Sequence, residues 1–447
     1  MGPSQNRSPC TDSFFPSPAA KTAGSCGRVP ASCKAARDWS ARFALSVVLL
    51  LCPGGGAAQN LMRGAGPNTP VRLFYPDEAV LDLREPRSDV PCTVTPVKPT
   101  LDFDMRFHTG YEVTVPMREL AGKGNQLAIV FRVKAEGSHG EASYFWQRWQ
   151  VPGIEEETPG EAQLHGAFAT GEGKYHVDWL MRDFDERFCS AYWDFQASLP
   201  ARDRQIRLAL SPAMVDAAEV ENFQPEPAAA PAAEIGSHLK ILIHFAPMNP
   251  RSSAVEPADS SALVTTLRAI AREPSIRHFS VVAYNLQQMR VIYRQEYAEQ
   301  IDFPALGEAL RSLSPGTVSV NALGPAHSDT EFLTELIRQE MQAEKEPDAL
   351  VFLGPKVMLD KDISREALRQ LGEPRFSVFY INYNLYPQAN PWNDAISRTV
   401  KFFRGFEYTV SYPRDLWFAV TDVLSRIKKQ QTVRQSRQPE TQSLRPQ

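Results

Sequence analysis

The sequence predicts two folded domains: an all-β sandwich, followed by an α/β domain built on a doubly wound sheet. Two observations support this. Short runs of alternating apolar and polar residues, with no helical period among them, fill the first half of the chain. After a Pro/Ala-rich stretch, apolar strands alternate with helical patterns, which is typical of a mainly parallel sheet. The 447 residues suffice for two to three domains, each with its own core.

Residues 1–58 are interpreted as a leader that contains a signal peptide. Arg42 precedes a short apolar run, Phe43–Cys52, and the helix-breaking and small residues Pro53–Ala58 follow it. A run of ten residues, nine of them apolar, is too short to span a bilayer. We therefore expect a secreted or periplasmic protein with no stable membrane span after signal cleavage near Ala58. A start codon near Val29 and a lipoprotein anchor at Cys52 are the alternatives, and Leu51 disfavours the anchor.

The charge balance argues against nucleic-acid binding. The formal net charge is −4, and the leader carries six Lys/Arg against two Asp/Glu, so the remaining chain is more acidic than the whole. A phosphate backbone requires a basic surface, which this composition does not provide.

Two cysteines, Cys92 and Cys189, remain after removal of the leader. In an oxidising compartment they are expected to form a disulfide, and two independent buried thiols are the alternative. They are too few for a cysteine metal site.

Residues 68–211 are predicted to form an immunoglobulin-like sandwich. Its aromatic residues are expected to fill the core, with a sugar-binding platform as the alternative. Three acidic residues, Asp183, Asp185 and Glu186, are predicted to lie in a hairpin turn, where neighbouring arginines balance their negative charge. A Ca²⁺-binding loop is the alternative. The predicted strands include Val71–Tyr75, Asp102–Phe107, Tyr111–Val115, Leu127–Val133, Gly173–Asp183 and Cys189–Phe195, and the core aromatics are Tyr144, Phe145, Trp146, Trp149, Trp179 and Trp193.

Residues 212–237 are predicted to be a Pro/Ala-rich linker, because proline at this density favours an extended spacer. The basic residues 431–447 are predicted to be a disordered tail.

Residues 238–430 carry the α/β pattern. Lys240–Phe245 is the first predicted strand, and the loop after such a strand is where ligands bind in open α/β sheets. The further predicted strands are 277–285, 289–294, 347–354 and 376–382, and the predicted helices are 260–272, 302–313 (with Asp302 as its cap), 330–342, 363–371, 394–404 and 414–428.

This order of elements, with a two-strand hairpin over Ser280–Arg294 after the first helix, resembles a von Willebrand factor A domain of the acidobacterial type. The resemblance implies a metal-ion-dependent adhesion site, built from an Asp-x-Ser-x-Ser loop, a Thr and a second Asp. Here the first loop reads Ala246–Ser253 without an Asp, and the later strand ends in Phe352–Pro355. Hard cations need carboxylate oxygens, so we expect a degenerate site with no bound metal and no cofactor.

The candidate binding residues all have low specificity. Asn249, Ser252 and Ser253 offer neutral oxygens in the first loop, or simply cap it; Asp329 and Thr330 occupy the second loop. A third group has aromatic and amide side chains near a strand end, including Tyr383 and Trp392, which suits protein or glycan recognition. A loop that closes over the sheet edge would look the same.

His244 beside Ser252, Ser253 and Asp259 suggests a hydrolase set, but a histidine within an apolar strand is more often a packed residue with one hydrogen bond. We therefore expect a non-enzymatic interaction or adhesion-type protein with a protein partner. A secreted hydrolase that uses the loops near Phe245, Gly324 and Gly354 is the alternative.

Overall fold

The computed structural model describes residues 59–62, 72–137, 142–218, 223–226, 236–248, 255, 257–313, 328–357, 359, 362–385, 387–388 and 391–437. Within them the strands form three sheets, and the fold is mostly β with some helices. Two sheets make a sandwich lobe (residues 59–218) and the third makes an α/β lobe (residues 236–437). The leader lies outside the described residues. None of the described helices combines the length and the apolar character that crossing a membrane requires.

The sandwich lobe consists of two antiparallel sheets. Their inner faces share one core, in which Phe131 stacks on Phe145 at 4.9 Å and Tyr111 meets Trp179 edge-on at 5.3 Å between ring centroids. One sheet has the order β1 (Asn60–Met62), β5 (Ser143–Val151), β4 (Asn125–Ala135), β7 (Gly173–Arg182), β8 (Phe188–Ala197). The other has the order β2 (Thr93–Leu101), β3 (Phe107–Pro116), β6 (Glu161–Thr170), β9 (Val215–Ala217).

A disulfide links the two sheets, and a close contact between two strands lies within the β2–β3–β6–β9 sheet. A disulfide joins Cys92, just before β2, to the buried Cys189 of β8, with 6.3 Å between their Cα atoms. The closest approach between β3 and β6 depends on glycine, since a Cβ on Gly110 would lie 2.0 Å from the Gly166 carbonyl oxygen.

The six predicted core aromatics are not equally buried. Phe145 and Trp179 are fully buried, whereas the others are partly exposed at the margins of the core. The remaining four are Tyr144, Trp146, Trp149 and Trp193.

The sequence assigned two segments of this lobe wrongly. The predicted strand Val71–Tyr75 gives way to helix α1 (Tyr75–Leu83), because Pro76 suits a first helical turn and Asp77 and Glu78 favour a helix N-terminus. The predicted strand Asp102–Phe107 is mostly the tight turn between β2 and β3.

In the α/β lobe, the described strands form a sheet with parallel neighbours except at one edge, where β12 is antiparallel. The strand order is β12 (Arg290–Ala298), β11 (Ile276–Asn285), β10 (Ser237–His244), β13 (Ala349–Pro355), β14 (Ser377–Tyr383), β15 (Phe406–Val410). One face packs against α2 (Pro257–Ala271), α3 (Phe303–Arg311) and α7 (Pro413–Arg437). The opposite face packs against α4 (Ser328–Met341), α5 (Arg365–Gln370) and α6 (Ala395–Phe402).

Most predicted elements of this lobe are present, and two differ. Asp302 caps α3 as expected, accepting a hydrogen bond from the Ala305 amide at 2.9 Å. The short edge strand β15 was missed, and α7 continues to Arg437 beyond its predicted end at Lys428.

The two lobes are in direct contact, and residues 55–447 form one compact unit. Phe103 and Met105 of the β2–β3 turn pack against the α/β core, where Phe103 lies 5.7 Å from Tyr383 between ring centroids. The predicted linker also takes part: β9 belongs to the sandwich, and Glu226 forms ion pairs with Arg268 of α2 and with Arg272 just after it.

Candidate functional site: a cleft between the lobes

A cleft of about 1910 Å³ lies between the sandwich lobe and the α/β lobe. The β2–β3 turn and residues 205–210 form its sandwich wall, while α2 and α7 form its opposite wall. The turn that lines the cleft also contacts the opposite lobe, because Phe103 and Met105 pack against the α/β core.

The sandwich wall carries a compact charged group. Asp104 accepts hydrogen bonds through Oδ2 from Arg106 Nε at 2.6 Å and lies 2.8 Å from His108 Nε2. The two other guanidinium nitrogens of Arg106 donate to the carbonyl oxygens of Ala217 and Ala218, each at 3.0 Å. The guanidinium is buried, so these bonds fix the position of the Asp104 carboxylate.

Electrostatics keep Asp104 ionised. Burial acts to raise the pKa of this carboxyl, but the hydrogen bond to His108 and the charges of His108 and Arg106 outweigh burial, so its pKa lies below the usual value. The wall therefore presents a fixed carboxylate to the cleft.

The α/β wall is apolar at its base and charged at its rim. Leu416, Val420 and Leu424 of α7 line the base. At the rim, Lys428 Nζ lies 2.8 Å from Glu273 Oε1. Burial acts to raise the pKa of Glu273, but the hydrogen bonds from Lys428 and Ser275 act to lower it. The net effect is a pKa below the usual value.

Among the described residues, the carboxyl end of the sheet contains a buried polar layer. His244 is buried and stacks on Tyr284 with 5.1 Å between ring centroids. Its Nε2 accepts from the Leu286 amide at 3.4 Å, and its Nδ1 has no hydrogen-bond partner among the described residues. Desolvation lowers the pKa of His244 to about 3, so the ring is neutral. This is the packed histidine that the strand pattern predicts.

Asp394 organises the rest of this layer. It caps α6 by accepting from the Ser397 amide at 2.7 Å, and it also accepts from the Val357 amide at 2.7 Å and from the Tyr380 hydroxyl at 2.9 Å. These bonds account for a carboxylate that is almost fully buried. The layer joins β14, α6 and the loop after β13.

The predicted binding residues that the structure describes lie on separate elements. Asn249, Ser252 and Ser253 lie outside the described residues. Asp329 and Thr330 lie in the first turn of α4, where Asp329 Oδ1 accepts from the Thr330 amide at 2.6 Å.

Tyr383 was predicted to belong to a recognition loop, and the structure corrects this prediction. It is the last residue of β14 and is fully buried, and its hydroxyl contacts Thr266 and donates to the Ala262 carbonyl at 3.0 Å. Trp392 is 38% exposed, and its carbonyl accepts from Lys356 Nζ at 2.7 Å. Tyr383 therefore belongs to the core, whereas Trp392 remains at the surface.

The residues that line the cleft were missed because the β2–β3 turn was interpreted as a strand. The polar residues at alternate positions, Asp102, Asp104, Arg106 and His108, were the available signal. Their convergence depends on the turn, which the alternation does not reveal.

Comparisons with known proteins do not assign the chain to a family. No family model matches it, and no curated protein matches it. Among solved structures, the PilB minor pilin from Streptococcus sanguinis is 7% identical, with 68% of this chain and 88% of the pilin covered, at a TM-score of 0.30. A glycosyl hydrolase family 2 member from Bacteroides cellulosilyticus is 10% identical, with 71% of this chain and 38% of the hydrolase covered, at a TM-score of 0.18. TM-scores this low support no inference about fold or function.

Proposed function

We propose that this chain is a secreted or periplasmic, non-enzymatic interaction protein that binds a polypeptide segment of a partner protein in the cleft between its lobes. The size of the cleft is the main support. At about 1910 Å³ it exceeds the roughly 300–1,000 Å³ that is usual for small-molecule sites. Secretion rests on the signal-like pattern of residues 42–58.

The lining of the cleft indicates the chemistry of the partner segment. Apolar side chains at the base with charged groups at the rim resemble the apolar centre and polar margin of protein interfaces. The rim carries both signs of charge, with Lys428 and Lys429 on one wall and Asp102 and Asp216 on the other. A segment with central apolar side chains and flanking charges of both signs would fit.

The proposal includes a von Willebrand factor A-like α/β lobe that has lost the metal chemistry of that family. The strand order supports the resemblance: the chain adds β11 and β12 on one side of β10 and then β13, β14 and β15 on the other, with β12 as an antiparallel edge strand. The missing carboxylates in Ala246–Ser253 and Phe352–Pro355 support the loss. Binding would then depend on side-chain complementarity in the cleft.

A photo-crosslinking experiment tests this function. A photoreactive residue replaces Ala269, an exposed residue of α2 on the cleft wall, and in a control it replaces Glu366 on the exposed surface of α5. Extracellular protein from the native source is crosslinked, and a partner captured only from position 269 is identified and purified. Its affinity is then measured for the wild type, Ala269→Trp and Glu366→Trp.

We expect Ala269→Trp to weaken binding by at least about tenfold, because the indole projects into the space that the partner segment would occupy, and Glu366→Trp to leave the affinity unchanged. A partner that binds all three proteins equally, or crosslinking that is equal at both positions, would place the interaction elsewhere.

A further inference from the structure

Two carboxylates and an imidazole converge on the sandwich wall of the cleft. The ligand-type atoms of Asp102, Asp104 and His108 all lie within 4.8 Å of one another. In the described part of the chain, this is the one group of three such residues at that spacing. The imidazole is what distinguishes it from an ordinary acidic surface patch, because a neutral ring nitrogen binds transition metals.

The β2–β3 turn holds these side chains in a fixed arrangement. The Asp102 amide donates to the Arg106 carbonyl at 3.0 Å, and the Met105 amide donates to the Asp102 carbonyl at 3.0 Å. Met105 has a φ of 58°, a left-handed conformation that closes the turn. Because Phe103 and Met105 pack against the α/β core, the turn is anchored from the far side, and its ligands need no large rearrangement to meet an ion.

We propose that Asp102, Asp104 and His108 bind a divalent transition metal ion such as Zn²⁺, with water completing the coordination. Nitrogen and oxygen ligands bind Zn²⁺ at roughly 2.0–2.2 Å, so three of them around one ion lie about 3.5 Å apart. The ligand-type atoms of the three residues, within 4.8 Å of one another, are close to that spacing before an ion binds.

Arg106 acts as the orienting group for the site. Its two bonds to the carbonyls of residues 217 and 218 hold it in place, and its Nε bond fixes Asp104, as partners of ligating carboxylates do in metal sites. Two carboxylates against one guanidinium leave the group with a net negative charge before the ion binds. His108 would exchange its hydrogen-bond contact with Asp104 for the metal and carry its proton on Nδ1.

The set also selects among cations. Ca²⁺ and Mg²⁺ take oxygen ligands in larger numbers, and an imidazole does not suit them. We expect Zn²⁺ to bind more tightly than Mn²⁺, in the usual order of affinities, and Ca²⁺ to bind least. This inference does not depend on the proposed partner, because the metal ion alone is the ligand.

Calorimetric titration of the untagged full chain with Zn²⁺, Mn²⁺ and Ca²⁺ tests the site. The variants are Asp102→Asn and His108→Gln, and the matched control is His165→Gln, which removes an exposed imidazole from β6 of the same lobe. Circular dichroism confirms that each variant is folded. Substitution of Co²⁺ reports the ligand field by visible absorption.

We expect one equivalent of Zn²⁺ to bind the wild type and His165→Gln, and the affinity to fall by at least about tenfold in His108→Gln and Asp102→Asn. The absence of Zn²⁺ binding, or binding that His108→Gln leaves unchanged, would overturn the assignment.

Discussion

His244 lies at the carboxyl end of β10. Burial is what lowers the pKa of its imidazole. Gly354 on the neighbouring strand permits the close packing, because a Cβ at that position would lie 2.9 Å from the His244 Cβ. The φ of Gly354, 152°, is one that other residues rarely adopt. The Nδ1 atom has no hydrogen-bond partner among the described residues, and the ring stacks on Tyr284. No contact there would stabilise a protonated imidazole against the free-energy cost of burying its charge.

This burial predicts a pH dependence of stability. The pKa of His244 is about 3 in the folded chain and 6.5 in the reference state, so between these values the unfolded state binds a proton that the folded state does not. Its contribution to stability is therefore fully present above pH 6.5 and is lost as the pH falls, by about 1.4 kcal/mol per unit. Denaturation of wild type and His244→Phe at pH 7 and pH 5 should show a smaller loss in the variant. An imidazole that titrates near 6.5 by NMR would contradict this.

At the scale of elements, the sequence predicts most of the α/β lobe because each strand is a continuous apolar run and each helix has a clear periodicity. β15 escapes detection because it is a five-residue edge strand with polar Glu407 and Thr409. Lys240 shows a second limit: it is buried in β10 and pairs at 2.7 Å with Glu340, which is distant in sequence. A local pattern contains no information about such a partner.

The candidate site was less predictable than the fold. The turn over residues 102–106 depends on the anchoring of Phe103 in the other lobe, so no local propensity specifies it. The predicted site residue Tyr383 was placed on a loop because the aromatic and amide residues after it resemble a recognition surface. Its side chain instead alternates toward the core face of β14.

The disulfide between the two sandwich sheets is expected to raise the free energy of unfolding. The disulfide between Cys92 and Cys189 spans 97 residues, so it restricts a large loop in the unfolded chain. Replacing both cysteines with alanine should lower the free energy of unfolding by about 2–5 kcal/mol in denaturant titrations. Reactive thiols at Cys92 and Cys189 in the unreduced protein, after unfolding in denaturant, would contradict the bridge.

At the scale of the whole molecule, the lobes are joined by several contacts that differ in kind. Phe103 packs into the α/β core, Glu226 pairs with Arg268 of α2 and with Arg272 just after it, and Arg414 lies 3.7 Å from Asp203. The Arg414–Asp203 pair is long and its arginine is partly exposed, so it contributes little by itself. The apolar packing of Phe103 should therefore contribute most to the cooperative unfolding of the two lobes.

Phe103→Ala tests this coupling. We expect a loss of about 2 kcal/mol, less than for a fully buried phenylalanine, and a calorimetric trace that separates into two transitions as the lobes unfold independently. Phe184→Ala removes a ring that is 77% exposed on another turn of the same lobe and should leave one transition. Identical traces for the two variants would show that the packing of Phe103 does not couple the lobes.

The central claim is that both lobes contribute to one binding surface. Hydrogen exchange of the protein with and without the partner identified by crosslinking tests it most directly. The exchange rates of backbone amides are measured separately for each wall of the cleft. We predict that the partner slows exchange in both α2 and the β2–β3 turn. Slowed exchange on one wall alone, or only at the carboxyl end of the sheet, would contradict binding in the cleft.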